Sequence, residues 1–272
     1  MTKRTAKTLQ ERTDLPIGER YVSMSNAMAR GAQGLNLSQK RIIALAMAKT
    51  DSLPAMDLLA GQSMGWRVRL LASEYAETYD VSPNTAYEQL RDSTHSLMKC
   101  LWRTTSQGKK WPLITEGPWA ILGEYSKGEG RVDITFHPTV APHLLALRSQ
   151  FTTYKLKQAA ALRSVYAWRL YECLQSWKSK GVWKVSIDDF QKAMDAPESC
   201  QTDFFNLRQR VIDPAVKELR EKDGLLLEWE PVKAGRKVAG LVFTFRPDPQ
   251  GRLEFEETRS PVKGQSGEFL KA

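Results

Sequence analysis

One basic helix near the C-terminus carries the side chains in this sequence that are best suited to recognition chemistry. Residues 202–222 combine guanidinium and carboxamide groups, which are strong hydrogen-bonding groups, on one predicted helix face. Arg208 and Arg210 can each fork to the edge of a guanine. By the same geometry, Asn206 and Gln209 match the edge of an adenine. These residue types therefore predict a helix that reads bases in the major groove of a duplex.

The segment after this helix is also basic. Residues 225–247 form a predicted hairpin, and its stretch 231–247 contains no acidic residue. Cations on such a hairpin are expected to contact phosphates, which give affinity and register but no sequence information. The predicted phosphate contacts, including one on the helix itself, are Lys217, Lys233, Arg236 and Lys237.

A less basic copy of this arrangement lies earlier in the chain. A helix predicted to begin at Pro83 turns polar side chains outward, among them Glu88, and a hairpin with cations at its tip follows. A single amphipathic helix with arginines is more often a solvated surface, but its recurrence beside a basic hairpin favours nucleic-acid binding. We expect the second copy to read more of the sequence. The predicted contacts of the first copy are Asn84, Tyr87, Arg91, Lys109 and Lys110.

Apolar spacing and capping residues predict the elements that hold these side chains. Pro214 predicts a kink or local break within the second basic helix, and a single helix is predicted over residues 159–177. The predicted N-caps are Ser38, Ser82 and Ser186. The predicted buried stripe of the second basic helix consists of Phe205, Ile212, Ala215, Val216 and Leu219.

The chain contains an internal repeat. Residues 132–138 and 241–247 share an apolar-Thr-Phe-x-Pro ending, with Phe136 and Phe245 lying 109 residues apart. Each follows the same order of elements: an apolar helix, a short strand, a small helix, a longer helix and a hairpin. This order predicts an α+β protein of two tandem winged-helix domains. The predicted segments are a flexible arm at 1–20, a first domain at 21–148, a second domain at 149–250 and a mobile tail at 251–272.

Composition restricts the function further. The chain has 272 residues, a formal net charge of +9 and a pI near 9.4, which favours a polyanionic partner. Its three cysteines are scattered, so we expect reduced thiols and no bound metal or cofactor. No stretch approaches the roughly 18 consecutive apolar residues of a membrane helix. We therefore expect a cytoplasmic protein without a membrane partner.

The catalytic motifs that this sequence resembles are incomplete. Gly123 and Gly128 have the spacing of a phosphate-binding loop, but Glu129 stands where that loop needs a lysine. The histidines, His95, His137 and His143, lack the close pairing that a rolling-circle nicking enzyme needs. We therefore expect no enzymatic activity.

Two longer motifs resemble those of a known family. Residues 22–27 (VSMSNA) with 37–46 (LSQKRIIALA), and residues 205–219 (FNLRQRVIDPAVKEL), are similar to theta-type plasmid replication initiators, which bind direct repeats called iterons. The resemblance covers about residues 20–247 and includes Pro214.

The resemblance implies a specific biology. Family members bind iterons at the plasmid origin as monomers, open an adjacent AT-rich region and recruit the host initiator and replicative helicase. As dimers, joined largely through the first winged domain, they bind an inverted repeat and repress their own gene. We therefore expect a sequence-specific double-stranded DNA binder that initiates plasmid replication. The alternatives are a transcriptional repressor of the same fold and, less favoured, an origin-nicking enzyme.

Overall fold

The computed structural model describes residues 15–50, 65–107, 110–144, 151–222 and 224–247. Its first half is built on a three-stranded antiparallel sheet with strand order β2-β6-β5, covered by helices. The elements are β1 (Tyr21–Ser25), α1 (Asn26–Arg30), α2 (Leu37–Thr50), β2 (Trp66–Leu71), α3 (Ala72–Tyr79), α4 (Pro83–Leu97), β3 (Leu101–Gln107), β4 (Pro112–Pro118), β5 (Ala120–Ser126), β6 (Arg131–Phe136) and α5 (Ala141–Leu144).

The second half repeats this plan around a sheet with strand order β8-β10-β9. A π-helical turn at Arg208–Ile212 joins two α-helices into one rod. The elements are β7 (Phe151–Lys155), α6 (Leu156–Ala160), α7 (Val165–Gln175), β8 (Val182–Ser186), α8 (Ile187–Ala193), α9 (Glu198–Thr202), α10 (Phe204–Leu207), α11 (Asp213–Lys222), β9 (Leu225–Ala234) and β10 (Lys237–Pro247).

The repeat motifs form the central strands β6 and β10, and they pair with their neighbours in the same register. In the first sheet, Phe136 lies opposite Trp66, with ring centroids 4.7 Å apart. In the second, the N–H of Phe245 donates to the carbonyl oxygen of Gly181 at 2.9 Å. The equivalent phenylalanines therefore face equivalent positions at the start of β2 and β8, and the predicted α+β repeat is confirmed.

The first domain contains a hairpin that the second lacks. β3 and β4 form a separate two-stranded sheet between α4 and β5, tied to the end of α1 by a hydrogen bond from the N–H of Arg103 to the carbonyl of Ala32. Lys110 is exposed beside the turn of this extra hairpin, whereas Lys109 lies outside the described residues. Lys110 therefore lies at a hairpin tip, as predicted, but this hairpin is β3–β4, whereas the equivalent of the β9–β10 wing is β5–β6. Contact of Lys110 with DNA stays a prediction.

A third small sheet links the two halves of the chain. β1 pairs antiparallel with β7, so that Tyr21 lies opposite Lys155 and Ser25 opposite Phe151. This pairing crosses the predicted boundary between residues 148 and 149, and the domain limits stay a prediction.

Helix ends follow from local capping, with one correction. Ser82 accepts from the N–H of Thr85, and Ser186 accepts from the N–H of Asp189, so these predicted caps are confirmed. The predicted cap Ser38 is wrong. Asn36 takes that role, because its side chain accepts from the N–H of Gln39 while the Gln39 side chain accepts from the N–H of Asn36.

The helix predicted over 159–177 is interrupted. α6 ends at Ala160 and α7 begins at Val165, with Ser164 as its N-cap. The carboxylate of Glu218 accepts hydrogen bonds from the N–H groups of Arg163 and Ser164. A tertiary contact from α11 therefore stabilises the break, and helical periodicity alone could not reveal it.

The predicted irregularity at Pro214 is present as the π-helical turn. The N–H of Asp213 donates to the carbonyl of Arg208, five residues earlier. Proline has no N–H to donate to the carbonyl four residues earlier. The wider π-helical turn directly before Pro214 accommodates this missing bond, so the helix continues into α11.

Among the described residues, no helix combines the length and apolar character needed to cross a membrane.

The three cysteines carry free thiols, as predicted, and burial raises the pKa of Cys173 to about 11, which keeps this thiol protonated.

Candidate nucleic-acid interface

The rod α10–α11 lies on the second domain with its apolar side buried. The predicted stripe is correct from Ile212 onward but wrong at Phe205, which is 66% exposed. Its neighbour Phe204 occupies the inward position and packs edge-on against Trp229 of β9, with ring centroids 6.4 Å apart. The buried side chains of the rod are Leu207, Val211, Ile212, Ala215, Val216 and Leu219.

Arg208 and Arg210 have different surroundings. The Nε of Arg208 donates to Asp213 Oδ2 at 3.0 Å, and its guanidinium lies 5.7 Å from the ring centre of Trp229. Arg210 is exposed and has no hydrogen bond or ion pair within the described part of the chain. Arg210 is therefore the arginine of this helix that is free to fork to a base.

The two carboxamides also differ. Asn206 is half-buried, and its Nδ2 donates to the carbonyl of Ser199 at 3.3 Å and to Asp203 Oδ2 at 3.1 Å. Gln209 is exposed. Gln209 is thus better placed for an adenine edge than Asn206, which ties the start of the helix to α9 and to Asp203.

The wing of the second domain is a tight, exposed cationic hairpin. β9 and β10 pair from Lys237 opposite Ala234, and Gly235 takes a φ of 63° in the turn, a left-handed conformation that glycine adopts without strain. Lys233, Arg236 and Lys237 are all exposed. Lys217 is exposed on the rod, 3.9 Å from Glu221 Oε1. These side chains can reach a phosphate backbone beside the helix.

The corresponding helix of the first domain, α4, is less suited to binding an anion. Asn84 and Arg91 are exposed and Tyr87 is half-buried, as expected from the pattern. The Nε of Arg91 donates to Asp92 Oδ1 at 2.8 Å, and Glu88 is also exposed. Acidic groups therefore offset the cation on this face.

The structure adds one candidate that the sequence argument missed. Lys127 is exposed in the turn between β5 and β6, which is the true wing of the first domain. It lies nine residues before Phe136, just as Arg236 lies nine residues before Phe245. The repeat motif itself could have identified this position.

Comparison with known families assigns the two domains. Residues 21–175 match the family described as "Initiator Replication protein, WH1", and residues 186–245 match "Initiator Rep protein, WH2". The chain belongs to this replication initiator family. The predicted resemblance and the predicted tandem winged-helix fold are confirmed.

Individual relatives agree with this assignment. The initiator is 25% identical over 228 residues to an "Uncharacterized 27.6 kDa protein" of Escherichia coli, covering 81% of the chain and 93% of the relative. It is 32% identical over 123 residues to a "Probable replication protein rep" of Bifidobacterium longum (strain NCC 2705), covering 45% of the chain but only 41% of that relative.

A solved structure shares the fold. The crystal structure of Pi initiator protein in complex with iteron DNA is 20% identical in sequence and aligns with a TM-score of 0.65. The alignment covers 85% of the initiator and 99% of that chain. At this identity the likeness extends to the fold, including the arrangement of two winged helices in one chain.

A buried polar cluster connects α2, which packs against α4, with α7, which packs against α11. The Nζ of Lys40 on α2 donates to Glu172 Oε2 on α7 at 2.6 Å, and Arg169 Nη1 donates to the same oxygen at 3.0 Å. All three side chains are at most 1% exposed. Burial lowers the pKa of Lys40 to about 8, partly opposed by the negative charge of Glu172.

The same region fastens the first domain to the second. Arg169 Nη2 donates both to the carbonyl of Gly31, directly after α1, and to the carbonyl of Ala193, at the end of α8. Asp195, whose φ is 48°, accepts from the N–H groups of Gln33 and Gly34 at 2.9 and 3.0 Å. These bonds fix how the second winged helix sits relative to the first.

Proposed function

We propose that this initiator binds the iterons of a plasmid origin as a monomer and starts replication there. The observation that carries the proposal is in the second domain: α10–α11 presents Gln209 and Arg210 outward, and Lys233, Arg236 and Lys237 are exposed beside the turn of the β9–β10 wing. Major-groove reading needs hydrogen-bonding groups on the exposed face of a helix, and phosphate contacts need cations next to it. Membership of the replication initiator family supports the same function.

The two winged helices define the expected footprint. Two reading helices in one chain, held by the bonds of Arg169 to Gly31 and of Asp195 to Gln33, suit two successive major grooves on one face of a duplex. Such grooves are about 34 Å apart. Hydroxyl-radical footprinting of the monomer on origin DNA should protect two adjacent helical turns on one face. Protection confined to one turn would contradict the proposal.

The predicted homodimer would repress the initiator's own gene at an inverted repeat. Exposed apolar side chains on the first domain support such a dimer. Large side chains of β3, β4 and β5 are 48–77% exposed. A surface of this kind favours self-association. Its members are Leu101, Trp111, Leu113, Ile114, Ile121 and Leu122.

Substitution within this surface tests the dimer. Leu113→Ser together with Ile114→Ser should shift the monomer–dimer equilibrium to monomer in sedimentation velocity and relieve repression of a reporter under the inverted repeat. Leu226→Ser, at an exposed apolar residue of the second domain, is the matched control and should leave the dimer intact. Loss of dimer in the control alone would place the interface elsewhere.

Replication itself separates the proposed function from its alternatives. A repressor of the same fold would bind its operator but would not maintain a plasmid that carries only the origin and this gene. A nicking enzyme would relax supercoiled origin DNA in the presence of magnesium. We expect plasmid maintenance and no relaxation. The family also implies opening of the AT-rich region, which should be detectable as permanganate-reactive thymines. It further implies recruitment of the host initiator and replicative helicase, which should co-purify with the protein.

A further inference from the structure

Phe205 is an aromatic side chain exposed on the reading face of the second domain. It is 66% exposed, although the adjacent Phe204 is packed against Trp229. Single exposed apolar residues are common on protein surfaces. The position of this ring, however, coincides with the part of the helix that enters a groove.

The ring sits at the end of the helix that comes nearest to bases. Recognition helices contact base edges with their N-terminal residues, and Phe205 is the second residue of α10. Gln209 follows one turn later, so the two side chains are neighbours on the same face. The Phe205 ring thus borders the polar groups predicted to read base edges.

Its backbone is held by the loop before the helix. The N–H of Phe205 donates to Asp203 Oδ1 at 2.9 Å, and the other oxygen of Asp203 accepts from Asn206 Nδ2 at 3.1 Å. This cap fixes the first turn, so the ring is presented outward in the free protein. Little backbone conformational entropy therefore remains to be lost when the ring meets a ligand.

Only one base presents an apolar group in the major groove, namely thymine with its 5-methyl group. We propose that Phe205 packs against a thymine methyl group, next to the bases that Gln209 and Arg210 contact. This inference rests on the proposed function. The ring offers no acceptor to a cytosine amino group, which would lose its water and gain no hydrogen bond. Phe205 is therefore a specificity-determining residue for thymine.

Deoxyuridine provides the direct test, because it removes the methyl group and leaves base pairing unchanged. Origin iteron duplexes would carry deoxyuridine in place of thymidine at one position at a time, and equilibrium binding would be measured by fluorescence anisotropy. The wild-type initiator should bind about fourfold more weakly when the contacted methyl is absent, the fold-change expected for one buried carbon. Other positions should show no loss.

Phe205→Ala should abolish this dependence and bind both duplexes alike, with the affinity of the wild type on the uracil duplex or lower. Leu226→Ala, which also removes an exposed apolar side chain of this domain, should keep the wild-type dependence. Because Phe205 is exposed, the variant should fold, and its thermal melting would confirm that.

Two outcomes would overturn the proposal. The first is that Phe205→Ala retains the uracil penalty. The second is that it changes the sedimentation coefficient without changing the ratio of affinities, which would assign the ring to a protein contact. Failure of the proposed function is distinguishable from both: the wild-type protein would then bind the iteron and a random duplex of equal length with the same affinity.

Discussion

Arg208 and Arg210 show how neighbouring residues of one type acquire different roles. Both are exposed and both follow the same pattern in the sequence. Arg208 is oriented by Asp213 and by the face of Trp229, whereas Arg210 points to solvent from the π-helical turn. The difference arises from Asp213, five residues further along the helix, and from Trp229 of β9, which the helix sequence does not contain.

We therefore expect Arg210→Ala to affect sequence reading more than Arg208→Ala does. Loss of a bidentate base contact should reduce the preference for iteron over random DNA by about 1–3 kcal/mol. Arg208→Ala should reduce that preference less, because its guanidinium already has partners. Competition binding against both DNAs measures this, and an equal loss on iteron and random DNA for Arg210→Ala would assign it to phosphate.

Residue-level prediction from sequence was limited by such tertiary partners. Either Phe204 or Phe205 satisfied the helical spacing, and the position of Trp229 decides which ring is buried. A local choice was also open at the start of α2, where Asn36 and Ser38 both suit a cap and the reciprocal bond with Gln39 decides between them. Caps at Ser82 and Ser186 were predictable because Pro83 marks the first helical position after Ser82, and two acids mark the first turn after Ser186.

Among the elements, the wing β9–β10 lends itself to a quantitative test. Three exposed cations near its turn, Lys233, Arg236 and Lys237, lie on both sides of Gly235. If each contacts one phosphate, replacing all three by alanine should reduce the salt dependence of binding. The slope of log K against log salt concentration should become smaller by about 3, since each contact contributes about 0.9.

Charge-preserving variants supply the control for the wing. Lys233→Arg with Lys237→Arg should retain the wild-type slope. The preference for iteron over random DNA should change little in the alanine variant, because phosphate contacts carry no sequence information. An unchanged slope in the alanine variant would mean that the wing does not touch the backbone.

At the level of elements, the repeat was the most useful part of the sequence. The shared Thr-Phe-x-Pro ending fixed the central strand of each sheet, and the order of helices followed. The extra hairpin β3–β4 could not be distinguished from a wing, because apolar and polar residues alternate along both in the same way. The break between α6 and α7 was also hidden, since the carboxylate of Glu218 that stabilises it lies 54 residues from Ser164.

For the molecule as a whole, the buried cluster around Glu172 implies a pH dependence of stability. The pKa of Lys40 is lowered from 10.5 to about 8 in the folded protein. Between these values the unfolded chain holds a proton that the folded chain has lost, so the free energy of unfolding rises with pH across this window. Below pH 8 both states hold the proton, so Lys40 causes no change of the free energy of unfolding with pH there.

Lys40→Met should remove that rise. Between pH 7 and pH 9.5, the free energy of unfolding of the wild type, measured with urea, should rise by on the order of 2 kcal/mol more than that of the variant. Lys49→Met is the matched control, because Lys49 also belongs to α2 but is partly exposed and paired with Glu74. Identical pH profiles for the wild type and Lys40→Met would show that Lys40 does not titrate in this range.

The extra hairpin also gives the molecule an optical property. Trp111 is 77% exposed, while the other seven tryptophans are buried or half-buried. Collisional quenching of the intrinsic fluorescence by acrylamide therefore acts mainly on this one indole. A loss of quenching on concentration of the protein, without any added label, would report when a neighbouring molecule covers the hairpin.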